Sequence, residues 1–167
     1  TRRKLRRTWH TALALIDGSD TFHFNQSSAH YYAQIAQDDP ALLARIAEQV
    51  RAGRWEPVGG MWVEPDTNMP TGESLVRQIL YGQRHFERTF GARHTVCWLP
   101  DCFGFSPALP QLLRQGGFSS FFTIKVNWSE TNRLPADLVR WEGRDGSRVH
   151  RSRTRIAADV GASLAVT

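Results

Sequence analysis

The sequence predicts an α/β fold, with helices alternating with the strands of a mostly parallel sheet or barrel. Segments with strand-like and helix-like patterns alternate along the whole chain, without an internal repeat or a low-complexity linker. Loops rich in polar and aromatic residues follow three of the predicted strands. In folds of this class the functional residues lie on loops at the C-terminal ends of the strands.

The first half of the chain predicts three helices and two short strands. Asp39 and Pro40 are typical of a helix start, and Gly53 is placed to end the helix that they begin. In order, the predicted elements are a helix ending near 17–18, a strand over 22–25, a helix through residue 36, a helix from residue 40 and a strand over 55–58.

The second half predicts a long helix, a central strand, a further helix and a hairpin. Thr71 caps the long helix and Gly91 ends it. Ser106 is the expected N-cap of the next helix, with Pro107 at its first position. The strands are expected over 95–99, 119–124, 139–142 and 147–149, with the hairpin turn at 143–146.

Composition is that of an ordinary globular domain. The chain has 167 residues, of which 41% are hydrophobic and 22% are charged. It contains no apolar run of about 18 residues and no signal-peptide pattern, so we expect neither a membrane span nor a membrane partner. The chain begins at Thr1 and enters a helical pattern at once, which favours a piece of a longer protein. With only two cysteines, a reduced, cytoplasmic environment is the default expectation.

The net charge of +5 raises the question of a nucleic-acid partner, because arginines cluster near both ends of the chain. In the first cluster they are interleaved with Leu5, Trp9, Leu13 and Ile16, which share one face of a helix. The arginines are then the solvated side of a covering helix. No basic-aromatic strand, zinc finger or recognition helix accompanies them, and we predict no nucleic-acid partner.

Asp101 is the main candidate for a functional residue. It follows the apolar strand over 95–99, where a lone aspartate can also simply cap backbone N–H groups. Three loops are expected to meet at the C-terminal ends of the strands. They carry Trp62, Glu64 and Asp66, then Asp101 and Phe103, then Lys125 and Trp128. This convergence favours a functional role for Asp101.

Carboxylates beside aromatic rings suit a sugar, because they bind hydroxyl groups while a ring lies against the C–H face. Trp62, Glu64 and Asp66 are therefore candidate sugar-binding residues, although Glu64 and Asp66 fit the capping of their own loop equally well. A carboxylate next to a lysine suits a nucleophile or a metal ligand better than an acid.

Three blocks of the sequence carry a resemblance to a known family. RWEPVGGMWVEPD at 54–66, PTGESLVRQ at 70–78 and WLPDCFGFS at 98–106 closely resemble the bacterial-type α-mannosidases of glycoside hydrolase family thirty-eight. The resemblance covers residues 1–149 and implies a partial catalytic domain, an incomplete (β/α)7-type barrel. Residues 150–167 do not resemble the family and form a divergent tail.

The resemblance implies retaining hydrolysis of mannose-containing oligosaccharides or glycosides with the help of a zinc ion (Zn2+). It makes Asp101 both the nucleophile and a zinc ligand, and it places Phe103 in the sugar site and Lys125 near the nucleophile. By the same resemblance, the family's other zinc ligands and its acid/base aspartate lie before or beyond this chain, and none of the six histidines takes the place of a zinc ligand. We therefore expect the chain alone to bind zinc weakly and not to hydrolyse mannosides.

Two other functions are compatible with the sequence. A polysaccharide deacetylase-like metallohydrolase also uses an aspartate at a strand end, and it would release acetate. A non-enzymatic basic module would bind nucleic acid in a salt-sensitive way. The sequence leaves open the linkage preference and the oligomeric state of a full-length protein, a homo-oligomer included.

Overall fold

Helices and short strands alternate along the chain, as expected for an α/β fold. The structure is a computed structural model, and it describes residues 2–127, 131 and 136–152. The helices are α1 (Arg2–Asp17), α2 (Ala29–Asp38), α3 (Pro40–Arg51), α4 (Gly72–Phe90) and α5 (Leu109–Gln115), with a 3₁₀ turn at Lys125–Asn127. The strands are β1 (Phe24–Gln26), β2 (Trp55–Pro57), β3 (Val96–Trp98), β4 (Ser120–Phe122), β5 (Leu138–Glu142) and β6 (Arg148–Ser152).

The strands form two sheets in which parallel pairing predominates. Strands β1 and β2 pair in parallel, and the second sheet has the order β3-β4-β6-β5. Within it only β5 and β6 run antiparallel, as the predicted hairpin. The α/β class with parallel strands is thus confirmed, whereas closure into a barrel stays a prediction.

The end of β2 lies next to β3, although the two strands belong to different sheets. A Cβ atom on Gly59 would lie 3.1 Å from the Cβ of Trp98, so the backbone approaches β3 closely here. Gly59 also has a φ of 89°, which favours glycine. This contact keeps the loop after β2 beside the loop after β3.

Two hydrophobic clusters hold the elements together. The first packs α1, α2 and α3 against β2 and includes the fully buried Trp9, Tyr32 and Trp55. The second packs α4 and α5 against β3 and β4, with Leu99 and Phe121 fully buried. Because this second cluster packs β3 and β4 tightly, the positions of their C-terminal ends are well fixed.

Helix ends follow the local chemistry of the sequence where predicted. The Asp39 side chain accepts a hydrogen bond from the Leu42 amide at 3.1 Å. Thr71 does the same for the Ser74 amide at 3.3 Å. Gly91 ends α4 with a φ of 79°, in the left-handed region.

The predicted start of α5 at Ser106 and Pro107 is wrong, because the helix begins at Leu109. A helix capped by Ser106 would need the amide of residue 110 to bond its carbonyl. That residue is Pro110, which has no N–H. The Ser106 carbonyl instead accepts from the Leu109 amide at 2.9 Å, in a turn that precedes the helix.

The arginines of α1 lie on its solvent side, as predicted. Trp9, Leu13 and Ile16 are buried, while Arg2 and Arg6 form ion pairs with the acidic residues at the end of α2, at 3.1 and 3.0 Å. No helix in the described part of the chain is long and apolar enough to cross a membrane.

The C-terminal part of the chain extends the sheet. Strand β6 continues through Ser152, past the predicted domain boundary after residue 149. Residues 153–167 lie outside the described residues, so the division into a partial domain and a divergent tail stays a prediction.

Candidate active site

Polar side chains follow the first four strands at their C-terminal ends. Ser27 comes after β1, Glu64 after β2, Asp101 after β3 and Lys125 after β4. Since β1 is parallel to β2, and β3 to β4, the carboxyl ends within each pair share one edge. The turn after β1 therefore lies beside the loop after β2, and the loop after β3 lies beside the loop after β4.

Asp101 and Lys125 form an ion pair at the C-terminal ends of β3 and β4. The Nζ of Lys125 lies 2.7 Å from Oδ1 of Asp101. The Asp101 side chain is 72% exposed, whereas that of Lys125 is only 10% exposed. The buried lysine thus fixes a carboxylate that still faces open space.

Phe103 contacts the same lysine. The Lys125 Nζ lies 4.9 Å from the centroid of the Phe103 ring, in a cation–π contact. Phe103 is 63% exposed. An exposed aromatic ring two residues from an exposed carboxylate offers both an apolar and a charged surface to a ligand.

The loop after β2 is bound to the loop after β3 by direct hydrogen bonds. Thr67 Oγ1 donates to the carbonyl of Gly104 at 2.8 Å, and Asn68 Nδ2 donates to that of Phe103 at 3.4 Å. On the other side, Cys102 Sγ donates to the Pro65 carbonyl at 3.1 Å. These contacts fix the position of Phe103 relative to Glu64.

Glu64 is a half-buried carboxylate facing this edge. Ser27 is buried, and its hydroxyl donates a hydrogen bond to Oε1 of Glu64. Burial raises the pKa of Glu64, the Ser27 hydrogen bond opposes that rise, and the negative charge of Asp101 adds to it. The hydrogen bond from Cys102 to the Pro65 carbonyl joins the residues that follow Asp101 and Glu64 in the chain, so the two carboxylates lie on adjoining loops.

The Asp66 side chain accepts hydrogen bonds from the backbone of its own loop. Its Oδ1 accepts hydrogen bonds from the amides of Asn68 at 2.7 Å and Met69 at 2.8 Å. These bonds, first that from Met69, lower the pKa of Asp66. Asp66 therefore caps the loop in this structure, and its role as a sugar contact stays a prediction.

Trp62 contacts helices α2 and α4. Its ring centroid lies 5.8 Å from that of His30 and 5.7 Å from that of His85. Together with Tyr81 and Arg84 it lines an open groove of about 430 Å³. Among the described residues its ring contacts are with these histidines rather than with Phe103, and Trp128 lies outside the described residues.

The described residues do not form a zinc site by themselves. No group of three or more histidine, cysteine, aspartate or glutamate side chains gathers there in a way that could hold a metal ion. Cys97 and Cys102 are free and buried. Burial raises the pKa of Cys97 well above its usual value and that of Cys102 to about 11. The role of Asp101 as a zinc ligand stays a prediction.

The sequence prediction missed the contribution of the turn after β1. Ser27 and Glu64 are 37 positions apart, and no local pattern links them. The signal that was present is the Ser27-Ser28 pair, one residue after the predicted strand, at a C-terminal strand end where side chains of functional loops gather.

Comparison with known proteins identifies what this arrangement is similar to. Residues 1–158 match the family model for the N-terminal domain of glycosyl hydrolases family 38. Alpha-mannosidase G of Dictyostelium discoideum is 44% identical over 149 residues, which are 89% of this chain and 14% of that protein. Human alpha-mannosidase 2C1 is 44% identical over 147 residues, 88% of this chain and 14% of that protein.

The fold is similar to that of a solved enzyme. The crystal structure of an alpha-mannosidase from Enterococcus faecalis superimposes with a TM-score of 0.80 at 21% sequence identity, covering 91% of this chain and 17% of that chain. This similarity supports the α/β fold with parallel strands. The chain spans only 14% of the length of the curated relatives named above.

Proposed function

Because the chain belongs to glycosyl hydrolase family 38, we propose that it supplies part of the catalytic site of an enzyme that hydrolyses terminal α-mannosides with retention of configuration. The observation that carries the proposal is the Asp101 carboxylate, exposed at the end of β3 and held by Lys125 at 2.7 Å. A nucleophile of a retaining glycosidase must be a positioned carboxylate that is open to the substrate.

In the proposed reaction, an oxygen of Asp101 attacks the anomeric carbon as the bond to the leaving oxygen breaks. A carboxylic acid from outside this chain protonates that oxygen and later accepts a proton from water, which releases the sugar from Asp101. Two displacements at the same carbon give overall retention. Retaining enzymes place their two carboxyl groups about 5 Å apart, so the acid must come from a segment that folds against this edge.

Lys125 and Phe103 support the nucleophile in this scheme. The ammonium group of Lys125 orients the Asp101 oxygen, and its own position is fixed by burial against the Phe103 ring. Phe103 then presents its exposed ring to the C–H face of the sugar. Glu64 is a further polar group of the site, on the loop that Cys102 contacts through the Pro65 carbonyl.

We propose that Asp101 also contributes one ligand to a zinc ion whose other ligands lie outside this chain. The described residues alone are insufficient for such a site. The remaining strands of a (β/α)7-type barrel would come from the same outside segments. A reduced, cytoplasmic location is proposed on the basis of the two free, buried cysteines.

The direct test is hydrolysis of 4-nitrophenyl α-mannoside by the full-length protein that contains this chain, with the anomer of the first product followed by NMR. We expect retention, and we expect Asp101→Asn to lower kcat on the order of 10³-fold or more, since the nucleophile is lost. Asp20→Asn, at an exposed loop residue, is the matched control and should behave as wild type.

Four results would contradict the proposal. Inversion of configuration or a fully active Asp101→Asn variant would exclude Asp101 as the nucleophile. Release of acetate from acetylated sugars, without mannoside hydrolysis, would favour the deacetylase-like alternative. A measurable mannosidase rate from the 167-residue chain alone would show that the remaining catalytic groups are not needed.

A further inference from the structure

The Ser27–Glu64 pair is built into the fold rather than being a chance surface contact. The hydroxyl of Ser27 donates to Oε1 of Glu64 from the turn between β1 and α2. The Ser27 residue is only 8% exposed. A buried hydroxyl that bonds a half-buried carboxylate fixes the orientation of that carboxylate, because both groups would otherwise lose hydration without compensation.

The residue after Ser27 has a strained backbone. Ser28 has a φ of 67°, which is unusual for a residue with a side chain. The conformation is held by hydrogen bonds from the Ala29 amide to the Met61 carbonyl at 3.1 Å and from the His30 amide to the Trp62 carbonyl at 2.9 Å. These bonds join the start of α2 to the segment leading to Glu64. Strain of this kind persists where the surroundings over-determine it, often at functional sites.

The negative charges of Glu64 and Asp101 disfavour an anionic ligand and favour one that donates a hydrogen bond. Lys125 pairs with Asp101, and none of the ion pairs found among the described residues includes Glu64. Ser27 satisfies one oxygen, and an ionised carboxylate has several further acceptor positions. A sugar hydroxyl can donate to those positions without adding charge to the pair of carboxylates.

Resting on the proposed function, we propose that Glu64, held in place by Ser27, positions the mannoside by accepting a hydrogen bond from one of its hydroxyl groups. Asp101 attacks the anomeric carbon, and Glu64 fixes the orientation of the ring in front of it. Glu64 is then a substrate-binding residue, and Ser27 is a positioning residue that acts through it.

The test is steady-state kinetics of the full-length protein with Glu64→Gln, which removes the charge and keeps the shape. We expect KM to rise about tenfold or more, the loss typical of a hydrogen bond to a charged group, with kcat changed less than about threefold. Ser27→Ala should raise KM in the same direction by a smaller factor. Ser27→Thr keeps the hydroxyl and should restore most of the affinity.

Glu56→Gln is the matched control, because Glu56 is an exposed glutamate in β2. A second readout uses methyl α-mannoside and its monodeoxy derivatives as competing ligands. The deoxy sugar that lacks the hydroxyl bound by Glu64 should bind weakly to wild type. It should bind equally weakly to Glu64→Gln, because the hydrogen bond is absent in both complexes. The other deoxy sugars should bind Glu64→Gln less well than wild type.

Several outcomes would overturn the inference. Glu64→Gln kinetics equal to those of Glu56→Gln would show that Glu64 does not bind substrate. A fall in kcat beyond about a hundredfold with an unchanged KM would assign Glu64 to acid/base chemistry. A lowered melting temperature with unchanged kinetics would make the pair purely structural.

The two proposals fail in different ways. If mannosides are hydrolysed normally and Glu64→Gln has no effect, only this inference is wrong. If the protein does not hydrolyse mannosides but binds methyl α-mannoside through Glu64, only the proposed function is wrong. If it neither hydrolyses mannosides nor binds methyl α-mannoside, both are wrong.

Discussion

Substitution of Gly82 by alanine tests how closely α4 packs on the segment that leads to the site. Gly82 is buried in the middle of α4. A Cβ atom there would lie 2.3 Å from the carbonyl carbon of Met61 and 2.5 Å from the carbonyl oxygen of Gly60. Both contacts are with backbone, so they cannot be relieved by rotating a side chain.

Two effects of opposite sign decide the outcome. Alanine in a helix interior is favoured over glycine by about 1 kcal/mol. Overpacking against a fixed backbone costs about 3 kcal/mol or more at such distances. The net loss of unfolding free energy should therefore be about 2 kcal/mol or more, and the segment carrying Glu64 should shift away from α4.

The measurement is urea unfolding of Gly82→Ala followed by circular dichroism. Gly72→Ala is the control, because Gly72 is the first residue of α4 and no atom lies within 4 Å of its added Cβ. We expect the control to be as stable as wild type. A Gly82→Ala protein as stable as Gly72→Ala would refute the close approach of α4 to residues 60–61.

Further predictions concern acid stability, the loop contact and the ion pair. Burial lowers the pKa of His94 to about 4, below the usual 6.5. As the pH falls, the unfolded chain therefore takes up a proton on this histidine before the folded protein does. Stability should be full above about pH 6.5 and fall by up to about 3 kcal/mol towards pH 4. His94→Leu should remove that part of the acid sensitivity in thermal melts. Gly104→Ala should lower the unfolding free energy by about 1–3 kcal/mol, since φ is 104° and the new Cβ would lie 2.6 Å from Asn68 Nδ2. Lys125→Met should lower mannosidase activity about tenfold or more by releasing Asp101, with less than about 1 kcal/mol lost in urea unfolding, because the carboxylate is largely exposed.

Each of these predictions can fail separately. An unchanged acid profile in His94→Leu would mean that the His94 ring is solvated in the folded protein. A Gly104→Ala protein of wild-type stability would contradict the close contact between the two loops. Full activity in Lys125→Met would show that Asp101 needs no partner to hold its orientation.

Local chemistry was sufficient to predict most helix boundaries. Asp39, Thr71 and Gly91 each act through residues within a few positions, so the sequence alone indicates the cap. The start of α5 failed for an equally local reason: the missing N–H of Pro110 outweighs the favourable Ser106-Pro107 pair.

The site residues that follow strands could be predicted from the sequence. The contacts between loops far apart in the sequence could not. Asp101 and Lys125 each follow a strand, and parallel pairing of those strands brings them together. The bond between Ser27 and Glu64 joins two loops, and no sequence pattern encodes it. Asp66 could cap its loop or bind a ligand, and only the fold shows that its oxygen accepts two backbone amides.

Covalent trapping tests the role of Asp101 most directly. The full-length protein is treated with a fluorinated α-mannosyl fluoride, which forms the glycosyl-enzyme quickly and releases it slowly, and the labelled peptide is sequenced by mass spectrometry. We predict one sugar on the carboxylate of Asp101 and no label in Asp101→Asn. A label on another residue, or rapid turnover of the wild-type protein without any covalent species, would contradict the assignment of Asp101 as the nucleophile.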